Sequence, residues 1–252
     1  MLSAILVALG EYHATGYHYI HSYEGGAKQF EEDNPPFASC SFFDNMPGEQ
    51  TEHMFTQTLD ALSKVLESGG GKQNAEMAEK VAAQKHCWKK TMDDMFKLKD
   101  GDFLTLLHGD AWFKNALLRF ALNCTVKLAR LLWYHSYKKS RMDGEDDCNH
   151  AILIDFQMGN VGCPFADLNY LLGTSAFPAD LKEHLNSWLR IYHESFSKTM
   201  MILGYPESIY TFAQLKKDFQ RGRYFGIFMN LFQAGVSFFR EKSFGIKCDI
   251  PL

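Results

Sequence analysis

The chain has 252 residues, 46% of them hydrophobic and 22% charged, with a formal charge of −4. Those values exclude disorder, which needs low hydrophobicity and high net charge, and they leave ample chain to bury a core. With 26 basic against 30 acidic residues, the overall balance makes no case for a nucleic-acid partner.

The apolar runs Met1–Gly10 and Gly226–Phe239 are interrupted and shorter than the ~20 residues a membrane span requires, so no membrane partner is expected. Met1–Gly10 lacks the basic start of a signal peptide, and the six cysteines are scattered without a CxxC pair. The expectation is a cytoplasmic protein with free thiols.

In chain order, Leu2, Ile5, Leu6 and Leu9 recur at helical spacing, and Tyr12 and His13 extend the stripe. A loop is predicted next, marked by Gly25-Gly26, Asn34-Pro35-Pro36 and Pro47-Gly48. Phe55, Leu59, Leu62 and Leu66 predict a second helix, closed by Gly69-Gly70-Gly71. A third is predicted with Met77, Val81, Trp88, Met92 and Met95 on one face. Phe103–His108 and Ala151–Phe156 read as short strands. Leu181, Leu185, Trp188, Tyr192 and Phe196 stripe another helix between Pro178 and Gly204. Phe212, Leu215 and Phe219 begin a last one, which runs into the aromatic stretch Tyr224–Phe239, read as core. The expected class is α+β, mostly α.

The informative residues lie on and after the two predicted strands: His108-Gly109-Asp110-Ala111-Trp112-Phe113-Lys114-Asn115 and Ile152-Leu153-Ile154-Asp155-Phe156-Gln157. Phosphoryl transfer needs a carboxylate for the acceptor hydroxyl and oxygen ligands that hold magnesium against a triphosphate. Kinase catalytic loops supply an Asp and, five positions later, a metal-binding Asn, the spacing of Asp110 and Asn115. Asp155, followed by Phe156, suits the second metal position, with Gln157 where protein kinases carry glycine.

In this ordered combination the sequence resembles the ecdysteroid kinase-like (CHK kinase-like) family, within the choline/aminoglycoside kinase group. Asp167-Leu168 after Gly162-Cys163-Pro164-Phe165-Ala166, and Tyr12-His13-Ala14, extend the likeness. The resemblance implies the C-terminal lobe of a protein-kinase-like (aminoglycoside phosphotransferase-like) fold, with Mg2+ and ATP as cofactors. It implies catalytic roles for Asp110, as base or hydroxyl-orienting carboxylate, and for His108, bracing the loop. It makes Asn115 and Asp155 metal ligands and Asp167 an anchor of the loop backbone. Trp112 and Gln157 are signatures without an assigned duty. Eleven residues separate Asp155 from Asp167, with no Ala-Pro-Glu after them. That leaves little room for a peptide platform, so a small-molecule alcohol substrate is expected.

Two departures accompany the likeness. The chain starts where the family's post-hinge helix starts, so an N-terminal nucleotide lobe with its strand-borne lysine is expected to be absent. Weak magnesium-nucleotide binding and little or no phosphorylation by these 252 residues alone follow as expectations. Ser68–Gln73 is no P-loop, since Leu66 and Gln73 occupy the places of its Gly and Ser/Thr. Thirty-nine residues lie between Asn115 and Asp155, where two strands and a loop need roughly 13–20. An insertion at about 120–147 is therefore expected, whether a helical addition, a basic patch or non-coding sequence.

His18 and His21 share a helical face without a third ligand, and His193-Glu194 lacks metalloprotease spacing. A non-catalytic pseudokinase or binding module stands as the alternative to a phosphotransferase. A metal-dependent phosphoesterase using His108 and Asp110 stands further back.

Overall fold

A computed structural model of the chain describes residues 1–37, 48–120, 126–128 and 148–244. The chain divides into two units, Met1–Ser39 with Leu98–Gly226 and Cys40–Lys97 with Ile227–Leu252. The architecture is α+β and mostly α, as the sequence predicts.

The first unit begins with α1 (Leu2–Ser22) and α2 (Gly26–Asp33). It continues with β1 (Thr105–Leu107), β2 (Ala116–Phe120), β3 (Val126–Leu128), β4 (Cys148–Leu153) and β5 (Asn160–Gly162). Helices α6 (Phe165–Ser175), α7 (Pro178–Ile202) and α8 (Phe212–Arg221) follow. β1 pairs antiparallel with β5, while β2 lies between β3 and β4 in a second antiparallel sheet. The expected insertion at 120–147 falls mostly outside the described residues; within it, Val126–Leu128 pairs with β2.

The core of this unit gathers Leu6 and Leu9 of α1, Leu168 and Leu171 of α6, and Tyr192 and Phe196 of α7. At the α1–α7 contact the Ser195 hydroxyl donates to the Val7 carbonyl at 2.9 Å. α6 is buried at every residue from Phe165 to Leu172, so it is wrapped on all sides and Asp167 goes inside with it. A charge so placed needs partners, and the site supplies them.

The second unit holds α3 (Gly48–Ser68), α4 (Lys72–Gln84), α5 (Trp88–Phe96) and the part of α9 (Arg223–Phe244) from Ile227 onward. Phe55 stacks obliquely on Trp88 at 4.7 Å and on Phe228 at 4.0 Å, forming an aromatic centre. Lys85 pairs with Asp60, and the Ser63 hydroxyl donates to the Ala78 carbonyl.

Several elements differ from their predicted form. The third helix is two, α4 and α5, broken at Lys85–Cys87 by tighter turns in which Lys85 N–H reaches Ala82 and Cys87 N–H reaches Gln84. Met77 of α4 faces solvent at 46% exposure. The last helix is also two, divided at Gly222, where any side chain would collide with the Phe165 ring. Of the aromatic stretch read as core, Phe225 and Phe228 are buried but Tyr224 is half exposed. α2 stands inside the predicted loop, its Phe30 buried edge-on to Tyr19 and Tyr23. The strand predicted over Ala151–Phe156 ends at Leu153, with Ile152 exposed.

Candidate active site

β1 delivers the chain into the loop His108–Asn115, and α6 holds that loop from below. The Asp167 carboxylate, 1% exposed, accepts the backbone N–H of His108 at 2.6 Å and of Gly109 at 2.9 Å. It also meets His13 Nε2 at 3.0 Å, and His13 Nδ1 meets the Tyr192 hydroxyl at 2.8 Å. Burial alone would raise the Asp167 carboxyl. The His13 hydrogen bond, the electrostatic influence of His13 and His108, and the His108 N–H outweigh it and hold the carboxyl below its usual range. Burial, with Cys163 and Asp167 nearby, pushes the Tyr192 hydroxyl well above the ordinary tyrosine value, so it stays a neutral donor.

Gly109 adopts φ 79°, and a Cβ there would run into the Met158 carbonyl. Only glycine lets the two loops of the site touch in this way. His108 is fully buried: its Nε2 meets the Ile154 carbonyl at 2.9 Å, and Asp110 N–H reaches its Nδ1 at 3.4 Å. Those partners select the tautomer with the proton on Nε2. His108 thus braces one loop against the other.

Asp110 is half-buried, and its carboxylate oxygens are held separately. Asn115 Nδ2 donates to Oδ2 at 2.8 Å and to the Asp110 carbonyl at 3.0 Å. The Tyr170 hydroxyl donates to Oδ1 at 2.5 Å. Phe113 N–H is accepted by Ser175 Oγ at 3.1 Å, so α6 touches the loop at both ends.

Asp155 lies two residues past β4. Ile154, just before it, donates its N–H to the Asn115 carbonyl at 3.0 Å while its own carbonyl meets His108. Asp155 itself is exposed and takes φ 67°, the left-handed backbone that no other non-glycine described residue adopts. Phe156 packs its ring on His108 at 4.6 Å and on Tyr12 at 5.2 Å.

The main chain therefore brings Asp110, Asn115 and the approach to Asp155 together, with Asp167 beneath. Among the described residues no three His, Cys, Asp or Glu side chains gather into a metal cluster. Magnesium asks for less: one or two protein oxygens beside substrate phosphates and water. With Asn115 Nδ2 committed to Asp110, its Oδ1 is the atom left to offer, and Asp155 adds an exposed carboxylate. Both are hard oxygen donors, the type that the ion takes. His18 and His21 are accounted for otherwise, by Tyr205 OH and the Tyr17 carbonyl.

A model of the ecdysteroid kinase-like family matches residues 1–135 and 140–205. The chain belongs to the ecdysteroid kinase-like family. No curated protein and no solved structure matches it. Membership implies a kinase-like fold and points to kinase chemistry on small molecules. Among the described residues, no helix of this ecdysteroid kinase-like chain is long and apolar enough to cross a membrane.

Proposed function

We propose that the chain is a phosphotransferase that moves the terminal phosphoryl group of ATP to a hydroxyl of a small molecule, such as a steroid- or xenobiotic-like alcohol. The supporting observation is the Asp110–Asn115 contact at 2.8 Å, on a loop whose backbone Asp167 holds from inside the core. In this reading Asp110 orients the acceptor hydroxyl and takes its proton as the new oxygen–phosphorus bond forms and the bond to ADP breaks. Asn115 Oδ1 and Asp155 would hold magnesium, which when bound offsets the charge of the triphosphate. His108 keeps the two loops in register, and Asp167 fixes the first.

The test is calorimetry with ATP and magnesium, followed by labelled-phosphate transfer over a panel of hydroxylated steroids and alcohols. The expected result is weak, magnesium-dependent nucleotide uptake that Asp155→Asn abolishes, and slow transfer that Asp110→Asn abolishes. Nucleotide uptake indifferent to magnesium, or none at all, would overturn the reading in favour of a non-catalytic binding module.

A further inference from the structure

We propose that Tyr170 is a positioning residue for Asp110, locking its carboxylate in the orientation that receives the acceptor hydroxyl; the proposal rests on the phosphotransferase reading above. The terminal torsion of an aspartate is broad and two-fold, so an unrestrained carboxylate samples many orientations. Here both oxygens are pinned from different elements. Asn115, within the loop, holds Oδ2, and Tyr170, from α6, holds Oδ1 at 2.5 Å, a short charge-assisted bond. An ionised carboxylate has about four lone-pair sites. These two donors take one on each oxygen and leave the remaining directions for an incoming hydroxyl.

The support behind Tyr170 is buried. Its side chain is 2% exposed, and its ring meets Phe225 edge-on at 6.0 Å. Asp167, three residues earlier on the same face of α6, grips the backbone of His108 and Gly109. Ser175, further along, accepts the Phe113 N–H. One buried helix therefore sets the loop's main chain before and after Asp110, and through Tyr170 sets the side chain between. A buried tyrosine needs only some acceptor for its hydroxyl. The acceptor it has is the carboxylate that the reaction would use.

Tyr170→Phe deletes the hydroxyl and keeps the ring. With labelled ATP and whichever panel alcohol reacts fastest, kcat should fall about 10- to 100-fold, the usual consequence of losing alignment at a reacting group. The KM for magnesium-ATP should stay within about two-fold, since the nucleotide contacts are untouched. A kcat within about two-fold of wild type would overturn the proposal.

Proton NMR supplies a readout independent of turnover. The wild-type chain should show a downfield, slowly exchanging hydroxyl proton that vanishes in Tyr170→Phe and in Asp110→Ala. Its absence from the wild type overturns the proposal whatever the activity. Its presence in a chain that transfers no phosphate upholds the Tyr170–Asp110 lock and counts against the phosphotransferase reading instead.

Discussion

His13 and Asp167 lie 154 positions apart in the chain and meet at 3.0 Å, both closed to solvent. The contact ties α1 to α6, and the Tyr192 hydroxyl on the far side of the imidazole extends it to α7. The loop carrying Asp110 hangs from the same carboxylate through two backbone N–H groups. Site geometry and fold stability therefore share one buried network.

Removing one member leaves the others unpaired in the interior. His13→Ala and Asp167→Ala should each lower stability by about 3 kcal/mol, the scale of breaking a buried pair. The double variant should lose much less than the sum of the two. Urea midpoints for the four proteins check this; simple additivity would show that the contact carries no energy.

The network also carries an acid dependence. The Asp167 carboxyl sits below its unfolded value, so the unfolded chain binds the proton more readily. Its contribution is fully present above about pH 4, the ordinary aspartate value, and disappears as pH falls through the lower folded value. Unfolding free energies of wild type and Asp167→Asn, taken from pH 7 down to pH 3, should converge toward acid. A gap of constant size would rule this out.

Gly109 sits where the two loops of the site touch. An alanine there meets both a left-handed backbone and the Met158 carbonyl, so the two loops must part. Gly109→Ala should cost about 2 kcal/mol or more. It should also weaken whatever magnesium-nucleotide uptake the wild type shows. Chemical denaturation alongside calorimetry tests it, and wild-type behaviour in both would mean that the close approach is dispensable.

Away from the site, Arg221 forks onto Asp102 with bonds of 2.7 and 3.2 Å and lies over the Phe165 ring at 4.8 Å. The pair is largely but not wholly buried, and Arg221 contributes packing as well as charge. Arg221→Ala should lower stability by about 2 kcal/mol, with Arg221→Lys recovering only part of it because an ammonium cannot fork. Thermal melts rank the three; a lysine variant equal to wild type would contradict the bidentate account.

Much of this was legible in local pattern. The stripes of α1 and α7 run unbroken, and the Asp110–Asn115 bond spans five residues, so both appear as spacing. The contacts that complete the site do not. Tyr170 reaches Asp110 across 60 positions and His13 reaches Asp167 across 154, and no periodicity encodes such pairings. The sole local hint is the three-residue step from Asp167 to Tyr170, meaningful only once that segment is known to be helical. The break after Gln84 carries no glycine or proline, and α2 hides behind a double glycine, so composition misleads in both directions.

The left-handed backbone of Asp155 bears on how variants at that position are to be ranked. Asparagine and aspartate tolerate this conformation better than other side chains, and glycine adopts it freely. An alanine at 155 would remove a carboxylate and also load the turn with about 1 kcal/mol of conformational cost. Its phenotype would merge two losses. Asparagine would report the missing charge alone, and glycine the missing side chain with the turn intact. An allelic series at this codon therefore separates chemistry from folding, provided alanine is not its only member.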